Sequence, residues 1–536
     1  MRVGVISVFT DYHRRGRHHR GVLQPQIGPL VAALLPRDVE IEVVNDTWED
    51  PDWSRDYDLV FLSALHSDFD RARQISHYYR RRGAATVFGG PLASTFPQLC
   101  APWFDAVAVG DPESTVPAIY RDFAAGELKP LYRADRYQPH AVPVPRLDLV
   151  ATKQVLPLAL EATRGCPFTC DFCSLTGLGT RYHTRAAATI AAHLREAQAL
   201  LDGRVPRWKH GFAVFYDNNV GGSPVFLRAL CDALAPRGIR WGGCITFNIL
   251  RDTAMLDRLA ASGCRLVYFG LETFNPAALA DMGKHQNLIA ETRSVIDACR
   301  ARGILATAGL MLSPTMDTLE YVDRIPRLLE ECGLHVPTYI CFETPFPGTP
   351  HFKRLAEAPS PTLLPNVLLR DLNGYTLVTR PRHAAPEAFV AAYLRTHRAV
   401  YSPGAKLRKL ADDLARFLPK GYLVPAAFDL FEMLAVERPR PSDRTYLGGT
   451  EKPPPEATRV PFGADDFASE AEREAILAPW AVTDARGQVL PQWLGAQPVY
   501  LPKGRIAPQR GFVHVDASRL GRRAAVPALA AGVPTA

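Results

Sequence analysis

Three of the ten cysteines lie within eight residues of one another. They are Cys166, Cys170 and Cys173, and their spacing is C-x3-C-x2-C. Three thiolates on one short loop can ligate three irons of a [4Fe–4S] cluster and leave the fourth iron open to a ligand that is not protein. A structural zinc site is one alternative, and it would need a fourth ligand such as His183. A chance grouping of buried free cysteines is another.

The cysteines follow the first of six predicted strands that alternate with helices. The strands are predicted at Val155–Leu160, Gly211–Asp217, Arg240–Phe247, Arg265–Leu271, Ile304–Leu312 and Thr338–Thr344. This alternation predicts a partial (β/α)6 barrel of the TIM type, whose functional groups lie at the carboxyl ends of the strands. The three cysteines come at that end of a strand and the other seven are dispersed. Their position therefore favours cluster ligation over both alternatives.

The cysteine spacing, with the aromatic Phe172 before the last cysteine, resembles the cluster loop of radical S-adenosylmethionine (radical SAM) enzymes. The resemblance covers roughly residues 150–380. It implies that the three cysteines hold a [4Fe–4S] cluster whose open iron is chelated by the amino and carboxylate groups of SAM. It also implies that an electron from the cluster cleaves SAM to a 5'-deoxyadenosyl radical, which abstracts a hydrogen atom from the substrate.

The resemblance suggests which other residues contact SAM. The candidates are Phe172, Asp217, Asn218, Asn219 and Glu272. The run from Asp217 follows the second strand, where the family holds the methionine part of SAM, although a plain polar turn has the same composition. Glu272 ends the fourth strand and is a candidate for the ribose or the amino group. An ion pair between Glu272 and Lys284 or Arg293 is the alternative.

The amino-terminal residues show a second run of strands alternating with helices. Strands are predicted at Val3–Phe9, Glu40–Val44, Leu59–Ser63, Ala85–Phe88 and Ala106–Val109. Such alternation predicts a Rossmann-like, doubly wound parallel sheet. A proline-rich stretch at 137–146 ends this pattern and indicates a linker. We expect three domains: the doubly wound domain at 1–148, the barrel at 149–380, and a mostly helical, proline-rich region at 381–536.

The loops of the doubly wound domain resemble those of the cobalamin-binding fold. The candidate cobalamin contacts are Asp11, His13, Gly16, Ser63, Leu65, Gly89 and Gly90. The first three form a D-x-H-x-x-G pattern. The resemblance implies that His13 ligates cobalt from below and that Asp11 orients its imidazole, as carboxylates commonly do for metal-binding histidines. The small residues would make room for the nucleotide tail. An acidic turn at Val109–Glu113 also resembles the family.

The two resemblances together imply a cobalamin-dependent radical SAM methyltransferase. It would methylate an unactivated carbon of a small-molecule substrate and receive electrons from a donor such as flavodoxin or ferredoxin. A radical cyclase or rearrangement enzyme is the first alternative. A non-catalytic protein that binds cobalamin and an iron–sulfur cluster is the second. A zinc-stabilised nucleic-acid module is the third.

Composition narrows the class of protein. The 536 residues carry 62 Lys and Arg against 55 Asp and Glu, so no strong field argues for nucleic acid as a partner. Few cysteines for this length, in no disulfide-like spacing, suggest a reducing compartment, and we expect a cytoplasmic protein. No apolar run approaches the roughly 20 residues that span a bilayer. We therefore expect no membrane span.

Overall fold

The computed structural model describes residues 1–10, 26–134, 139–179, 182–435, 447–449 and 460–496. Two six-stranded parallel sheets dominate these residues, one in the amino-terminal part and one in the central part. Helices cover both faces of a parallel sheet, so its strands bury side chains on both sides and tolerate nearly continuous apolar sequence. This is the α/β architecture that the sequence predicts.

The amino-terminal sheet is doubly wound. Its strands are β1 (Arg2–Ser7), β2 (Glu40–Asn45), β3 (Leu59–Ser63), β4 (Ala85–Gly89), β5 (Ala106–Val109) and β6 (Leu131–Arg133). Its helices are α1 (Ile27–Ala33), α2 (Phe69–Arg81), α3 (Pro91–Thr95), α4 (Pro97–Cys100) and α5 (Pro112–Ala124). The strand order β2-β1-β3-β4-β5-β6 changes direction beside β1. Sheets of this kind bind ligands at the carboxyl edge beside such a reversal.

All five strands predicted for this sheet are present. Both ends of β3 and β5 fall where the sequence places them, and the other strands differ at their ends by one or two residues. The sixth strand, β6, was not predicted. It contains only three residues directly after Pro130, too short a run to show a periodic pattern.

The central sheet contains the six strands of the predicted partial barrel. They are β7 (Ala159–Leu160), β10 (Phe212–Phe215), β11 (Arg240–Cys244), β12 (Cys264–Glu272), β13 (Leu305–Leu312) and β14 (Tyr339–Phe342). A separate antiparallel ribbon pairs β8 (Thr163–Arg164) with β9 (His183–Thr184). The sheet order follows the chain from β7 to β14, and these two strands form the edges. The arrangement confirms a partial rather than a closed barrel.

Ten helices accompany these strands in the described part of the chain. They are α6 (Ser174–Leu178), α7 (Ala187–Leu201), α8 (Arg207–His210), α9 (Pro224–Leu234), α10 (Phe247–Leu250), α11 (Thr253–Ala261), α12 (Pro276–Asp281), α13 (Thr292–Ala301), α14 (Leu319–Glu331) and α15 (Pro350–Ala356). Of the five helices with nine or more residues, α9, α11 and α14 begin with a side-chain cap. For example, the Thr318 hydroxyl accepts a hydrogen bond from the Tyr321 N–H at the start of α14.

The first barrel strand is shorter than the sequence predicts. We expect Val155–Leu160, but β7 contains only Ala159 and Leu160. Pro157 has no N–H group to donate to a neighbouring strand, so regular pairing begins only after it. Leu156 instead packs below the sheet against Phe212 and Val214.

The region beyond residue 380 is helical as far as residue 435. Its helices are α16 (Pro386–Val400), α17 (Pro403–Phe417), α18 (Leu423–Ala435) and, later, α19 (Glu470–Leu477). Helix α16 packs on the barrel, where the Tyr393 hydroxyl donates to the Ile340 carbonyl over 3.2 Å. Residues 460–496, which we call the carboxyl-terminal strap, return to the amino-terminal sheet. There the Arg82 guanidinium pairs with Asp466 at 2.8 Å. The domain boundaries at 148 and 380 stay predictions.

Within the described ranges, none of the helices combines the length and apolar character needed to cross a bilayer.

Candidate active site

The three cysteines lie on the loop between β8 and α6, beyond the carboxyl end of β7. The Cys173 N–H donates to the Cys170 carbonyl over 3.1 Å, which closes the loop into a turn. The thiol of Cys170 is 7% exposed, and those of Cys166 and Cys173 are half-buried. The loop thus presents three thiols on one short, folded segment at the barrel mouth.

Amide groups surround the sulfur atoms. The Asn219 side-chain amide lies 3.8 Å from the Cys166 sulfur, and the Gln286 amide lies 3.8 Å from the Cys170 sulfur. Burial raises the pKa of the Cys173 thiol, while the N–H groups of the residues that begin α6 act in the opposite direction. Iron binds thiolates, so these donors are aimed at the atoms that carry negative charge once a metal is bound. The donor set therefore fits an iron–sulfur cluster.

The zinc alternative gains no support from the geometry. Among the described residues, no three His, Cys, Asp or Glu side chains converge as ligands of a single metal ion. His183 lies in β9, where its backbone pairs with Arg164 in the ribbon. A four-iron cluster is wider than one ion and takes ligands that lie further apart.

Asp217 lies at the end of β10 and binds the backbone that leads into the cysteine loop. Its carboxylate accepts hydrogen bonds from the Ala162 N–H at 3.1 Å and from both the N–H and the hydroxyl of Thr163. Burial raises the pKa of Asp217 to about 7, although these hydrogen bonds favour the ionised form. The observed partner of Asp217 is thus the loop, and its predicted contact with SAM stays a prediction. Its neighbours differ, since Asn218 is exposed at the mouth and Asn219 is buried beside Cys166.

Glu272 forms the ion pair with Lys284 that the sequence left open. The Lys284 ammonium donates to the Glu272 carboxylate, and both side chains are at least 90% buried. Burial opposes the charge on Lys284, but Glu272 and the neighbouring Cys170 raise its pKa above the usual value. The same ammonium lies 5.8 Å from the centre of the Phe172 ring. Glu272 and Phe172, two of the SAM candidates, thus meet beside the cysteine loop.

Arg293, the other partner considered for Glu272, instead pairs with Asp297 within helix α13 at 2.7 Å.

Arg164 joins the cysteine loop to the amino-terminal sheet. Its guanidinium lies 2.7 Å from Asp111, 2.8 Å from Glu113 and 2.9 Å from Glu161. Asp111 and Glu113 belong to the acidic turn after β5, for which the sequence suggested no physical role. Arg164 stands two residues before Cys166. The acidic turn therefore fixes the start of the cysteine loop against the first sheet.

The carboxyl edge of the amino-terminal sheet contains a cavity of about 100 Å³. Residues that line it at the strand ends are Ser7, Ser63, Gly89, Gly90, Ala108 and Gly110. Nearly all are small, as a cleft that admits part of a large ligand requires. Leu65 follows β3 at the same edge, and its side chain is 57% exposed. The structure thus brings four cobalamin candidates to one edge, and their contact with cobalamin stays a prediction.

The remaining cobalamin candidates, Asp11, His13 and Gly16, lie outside the described residues. The last described residues before them are held in place. The Phe9 N–H donates to the Asp46 carboxylate at 3.1 Å, and the Thr10 N–H donates to Asp68 at 2.8 Å. These bonds fix the last described residues after β1 at the carboxyl edge of the sheet.

The turn at 345–350 packs between the two sheets. The Phe346 ring lies 5.8 Å from the ring of His66, which follows β3. On its other side, the Gly348 backbone approaches Gly177 of α6 so closely that an added Cβ at Gly177 would lie 2.7 Å from the Gly348 carbonyl oxygen. The cysteine loop and the small-residue cleft therefore lie on facing edges of the two sheets.

One buried polar pair was not predicted as a unit. Glu343 follows β14, and its Oε1 atom lies 3.6 Å from Nδ1 of His351 in α15. Ser313 donates to the other carboxylate oxygen at 2.7 Å. Burial raises the pKa of Glu343 to about 7 and lowers that of His351 to about 4. Nothing local in the sequence pairs Glu343 with a histidine eight residues later.

Comparison with known proteins identifies the central part of the chain. Residues 160–329 match the family model of the radical SAM superfamily. The bacteriochlorophyllide d C-8(2)-methyltransferase of Chlorobaculum tepidum is 24% identical over 387 residues, which are 70% of this chain and 84% of that protein.

Two solved structures share the fold. The radical SAM methyltransferase TsrM from Kitasatospora setae, with cobalamin and a [4Fe–4S] cluster bound, gives a TM-score of 0.55 at 17% identity, covering 75% of this chain and 89% of that one. The cobalamin-dependent radical enzyme OxsB, with aqua-cobalamin and SAM bound, also gives 0.55, at 13% identity, covering 81% and 75%. The predicted fold class is confirmed.

The match spans the cysteine loop, Asp217, Glu272 and the strands that carry them. The chemistry of the loop, the architecture of the barrel and the sequence similarity all indicate a radical SAM domain. Residues 160–329 therefore form a radical SAM domain, and its partial barrel follows a doubly wound amino-terminal sheet.

Proposed function

We propose that this enzyme is a cobalamin-dependent methyltransferase that acts on an unactivated carbon of a small-molecule substrate. The observation that carries the proposal is the facing arrangement of the cysteine loop and the small-residue cleft, joined through Arg164 and the acidic turn. Methyl transfer is also the activity of two similar proteins, the bacteriochlorophyllide methyltransferase and TsrM.

When bound, the cluster and SAM supply a carbon radical that removes a substrate hydrogen, and cobalamin supplies the methyl group. The protein's own residues hold and orient these groups and limit the access of water. Cys166, Cys170 and Cys173 hold the cluster, and the amides of Asn219 and Gln286 stabilise negative charge on the sulfurs. Asp217 and Arg164 keep the loop in one conformation from two sides. The position of the loop between the two sheets limits the access of water, which would quench a reactive species.

The amino-terminal cleft would hold the second cofactor. Gly89 and Gly90 leave room for the nucleotide tail, and Ser63 offers it a hydroxyl. Leu65 is an exposed apolar side chain at the same edge and suits contact with a large apolar ring. The roles of His13 as cobalt ligand and of Asp11 as its orienting group remain part of the proposal.

The proposal extends to partner and location. Reductive cleavage needs an electron source, and a flavodoxin or ferredoxin is the donor we propose. Free thiols and an iron–sulfur cluster both suit a reducing compartment, so we place the enzyme in the cytoplasm.

The test is anaerobic reconstitution of the full chain with iron, sulfide and cobalamin, followed by incubation with SAM and reductant. We expect bound cobalamin and a [4Fe–4S] absorption band. We also expect equal amounts of S-adenosylhomocysteine and 5'-deoxyadenosine once a substrate is turned over. Formation of 5'-deoxyadenosine alone would instead identify a cyclase or rearrangement enzyme. No cleavage of SAM at all would identify a non-catalytic binding protein.

Cysteine variants test the cluster assignment in the same preparation. Replacing Cys166, Cys170 and Cys173 by Ala should abolish the brown chromophore and the bound iron. Cys299→Ala is the matched control, because Cys299 is a fully buried cysteine on α13, away from the loop. Persistence of the chromophore in the triple variant would show that the cluster site is wrong.

A further inference from the structure

The end of the barrel opposite the cysteine loop carries an apolar pocket of about 480 Å³. It lies where β10 and β11 begin, beneath α18. Its lining is Val155, Leu156, Trp208, Gly211, Phe212, Arg240, Val424, Ala427 and Phe428. Apart from Arg240, every side chain in this lining is apolar or absent. The amino-terminal ends of barrel strands serve stability rather than catalysis, so the cofactors give no reason for an open pocket here.

Large apolar side chains at this pocket are exposed. Trp208 is 64% exposed and Leu423 is 66% exposed, and Leu430 on the same helix is 41% exposed. Leu423, Ala427 and Leu430 follow one another at helical spacing, so they form one stripe along α18. Single exposed apolar residues are ordinary, but a stripe beside an open apolar pocket is typical of a surface that meets another apolar phase.

Cations surround this apolar surface. They are Arg207, Lys209, Arg240 and Arg265. The Lys209 ammonium donates to the Gln154 carbonyl and lies 5.8 Å from the Trp208 ring centre. Arg240 begins β11 and Arg265 is the second residue of the neighbouring strand β12. In the described part of the chain, their guanidinium groups hydrogen-bond to backbone carbonyls. Among the described residues, no carboxylate forms an ion pair with any of the four.

We propose that this surface docks the enzyme on an anionic membrane. We call it the basal patch and define it by Arg207, Trp208, Lys209, Arg240 and the α18 stripe. A membrane offers an apolar phase for Trp208 and Leu423 together with negative charge for the surrounding cations. A nucleic acid offers phosphates but no apolar phase for the stripe. Attachment would be peripheral, and it would leave the barrel mouth facing away from the membrane.

The test is co-sedimentation of the full-length protein with vesicles. We expect binding to vesicles of phosphatidylcholine with phosphatidylglycerol, weaker binding as salt is raised, and little binding to phosphatidylcholine alone. The double variant Trp208→Ser/Leu423→Ser removes exposed apolar groups, and Arg207→Glu/Arg240→Glu reverses two charges. Arg207→Glu/Arg240→Glu should weaken binding to the charged vesicles by about tenfold or more, since each surface cation contributes about a factor of five. Trp208→Ser/Leu423→Ser should weaken binding to a similar extent, because two apolar side chains no longer enter the membrane.

Matched controls lie at the other end of the barrel. Val225 is 70% exposed on the first turn of α9, and Arg228 is exposed on the next turn. Val225→Ser and Arg228→Glu should bind vesicles as the unaltered chain does. Far-ultraviolet circular dichroism and the unfolding temperature show whether each variant is folded.

Three results would overturn the proposal. The first is failure of the unaltered protein to sediment with the charged vesicles. The second is equal binding by the patch variants and the controls. The third is a dimer in sedimentation velocity that Trp208→Ser/Leu423→Ser converts to a monomer, since the patch would then be an interface between copies. None of these measurements uses enzymatic activity, so they stand apart from the proposed methyl transfer.

Discussion

Single residues around the cysteine loop differ in function according to their partners. Asp217 closely follows strand β10 and Glu272 ends strand β12, and both are carboxylates that a sequence alone would assign to a cofactor. In the structure Asp217 binds backbone N–H groups and Glu272 binds an ammonium. Asp217 therefore positions the loop, whereas Glu272 sets the charge beside it.

Replacing Asp217 by Asn tests the positioning role. The amide can present an NH2 group to the Ala162 and Thr163 N–H groups, and two donors facing each other cost hydrogen bonds inside the protein. We expect a loss of about 1–3 kcal/mol in unfolding free energy and less iron after reconstitution. Thermal unfolding and iron analysis measure the two effects. Asn218→Ala, at the exposed neighbour, is the control and should keep the iron. Full iron content in Asp217→Asn would refute the role.

Glu343 gives the molecule a pH dependence with a defined sign. Burial raises its pKa to about 7, so the folded chain holds a proton on Glu343 that the unfolded chain has released above its ordinary pKa near 4.5. The contribution of Glu343 to the free energy of unfolding is therefore complete at low pH and is lost as the pH rises from about 5 to about 8. The groups that act on Glu343 are Ser313, Asp281, Asp317, His351 and Arg354.

Replacing Glu343 by Gln removes this titration. The unfolding temperature of the unaltered chain, relative to that of Glu343→Gln, should therefore fall between pH 5 and pH 8. Across this pH range, the free energy of unfolding of the unaltered chain relative to that of the variant should fall by about 3 kcal/mol. Comparison with the variant cancels the opposite effect of His351, whose lowered pKa makes the fold gain stability as pH rises through 4 to 6.5. A constant difference across this range would contradict the prediction.

At the scale of elements, strands β12, β13 and β14 are held together by close packing inside the barrel. Gly309 of β13 lies against Tyr268 and Tyr339 of the neighbouring strands, whose hydroxyl groups hydrogen-bond to each other. A glycine within a strand often makes room for a ligand or for a neighbouring backbone. The structure instead fills the space with two tyrosine side chains.

Gly309→Ala is expected to destabilise the barrel. The added Cβ would overlap the Tyr339 ring and lie 2.5 Å from the Tyr268 hydroxyl oxygen. Overpacking of this kind costs about 1–3 kcal/mol. Denaturant unfolding measures it. Gly404→Ala is the control, since its nearest neighbour is the flexible end of Arg408 at 3.6 Å, and helix propensity favours alanine there. Equal stability of the two variants would mean that the side chains of Tyr268 and Tyr339 move aside to accommodate the added methyl group.

At the scale of the molecule, the carboxyl-terminal strap ties distant parts of the chain together. Arg73 of α2 is fully buried and donates to the carbonyls of Ala475 and Ala478 in the strap. Its guanidinium lies 4.5 Å from the Trp103 ring centre and 5.6 Å from that of Trp480. Such a cation among aromatic rings holds its partners in a defined geometry. The strap therefore stabilises the amino-terminal sheet rather than acting as a loose tail.

Trp493→Ala should release the strap. Trp493 is 1% exposed and packs edge-on against Phe96, so its removal leaves a large cavity. The expected loss is about 3–5 kcal/mol, with faster proteolysis within 460–496. Thermal unfolding and limited proteolysis provide the measurements. Leu494→Ala, at an adjacent residue that is 55% exposed, should change neither. If both variants resist proteolysis like the unaltered chain, the strap is not held by Trp493.

The sequence by itself determined the cysteine loop, the alternation of strands and helices, and the two parallel sheets. These features are local: C-x3-C-x2-C is a spacing, and a strand such as Leu59–Ser63 is a short apolar run bounded by turn residues. The superfamily match and the two solved structures confirm the predicted fold class and the resemblance to radical SAM enzymes. Local signals failed where a strand was very short, as at β6, and where it was interrupted, as at Pro157. They also failed where a strand ended early, since the strand predicted at Arg240–Phe247 stops at Cys244.

Only the tertiary structure decided the partners. Nothing in the sequence says that Asp217 binds Thr163, that Arg164 reaches the acidic turn, or that Glu272 selects Lys284 over Arg293. Each of these contacts joins residues that lie far apart in the chain or admit several alternatives, and its energy depends on burial and orientation that no spacing encodes. The chemistry of the loop is thus determined by residue types and spacing within a short segment, whereas its position between two sheets is a property of the folded chain.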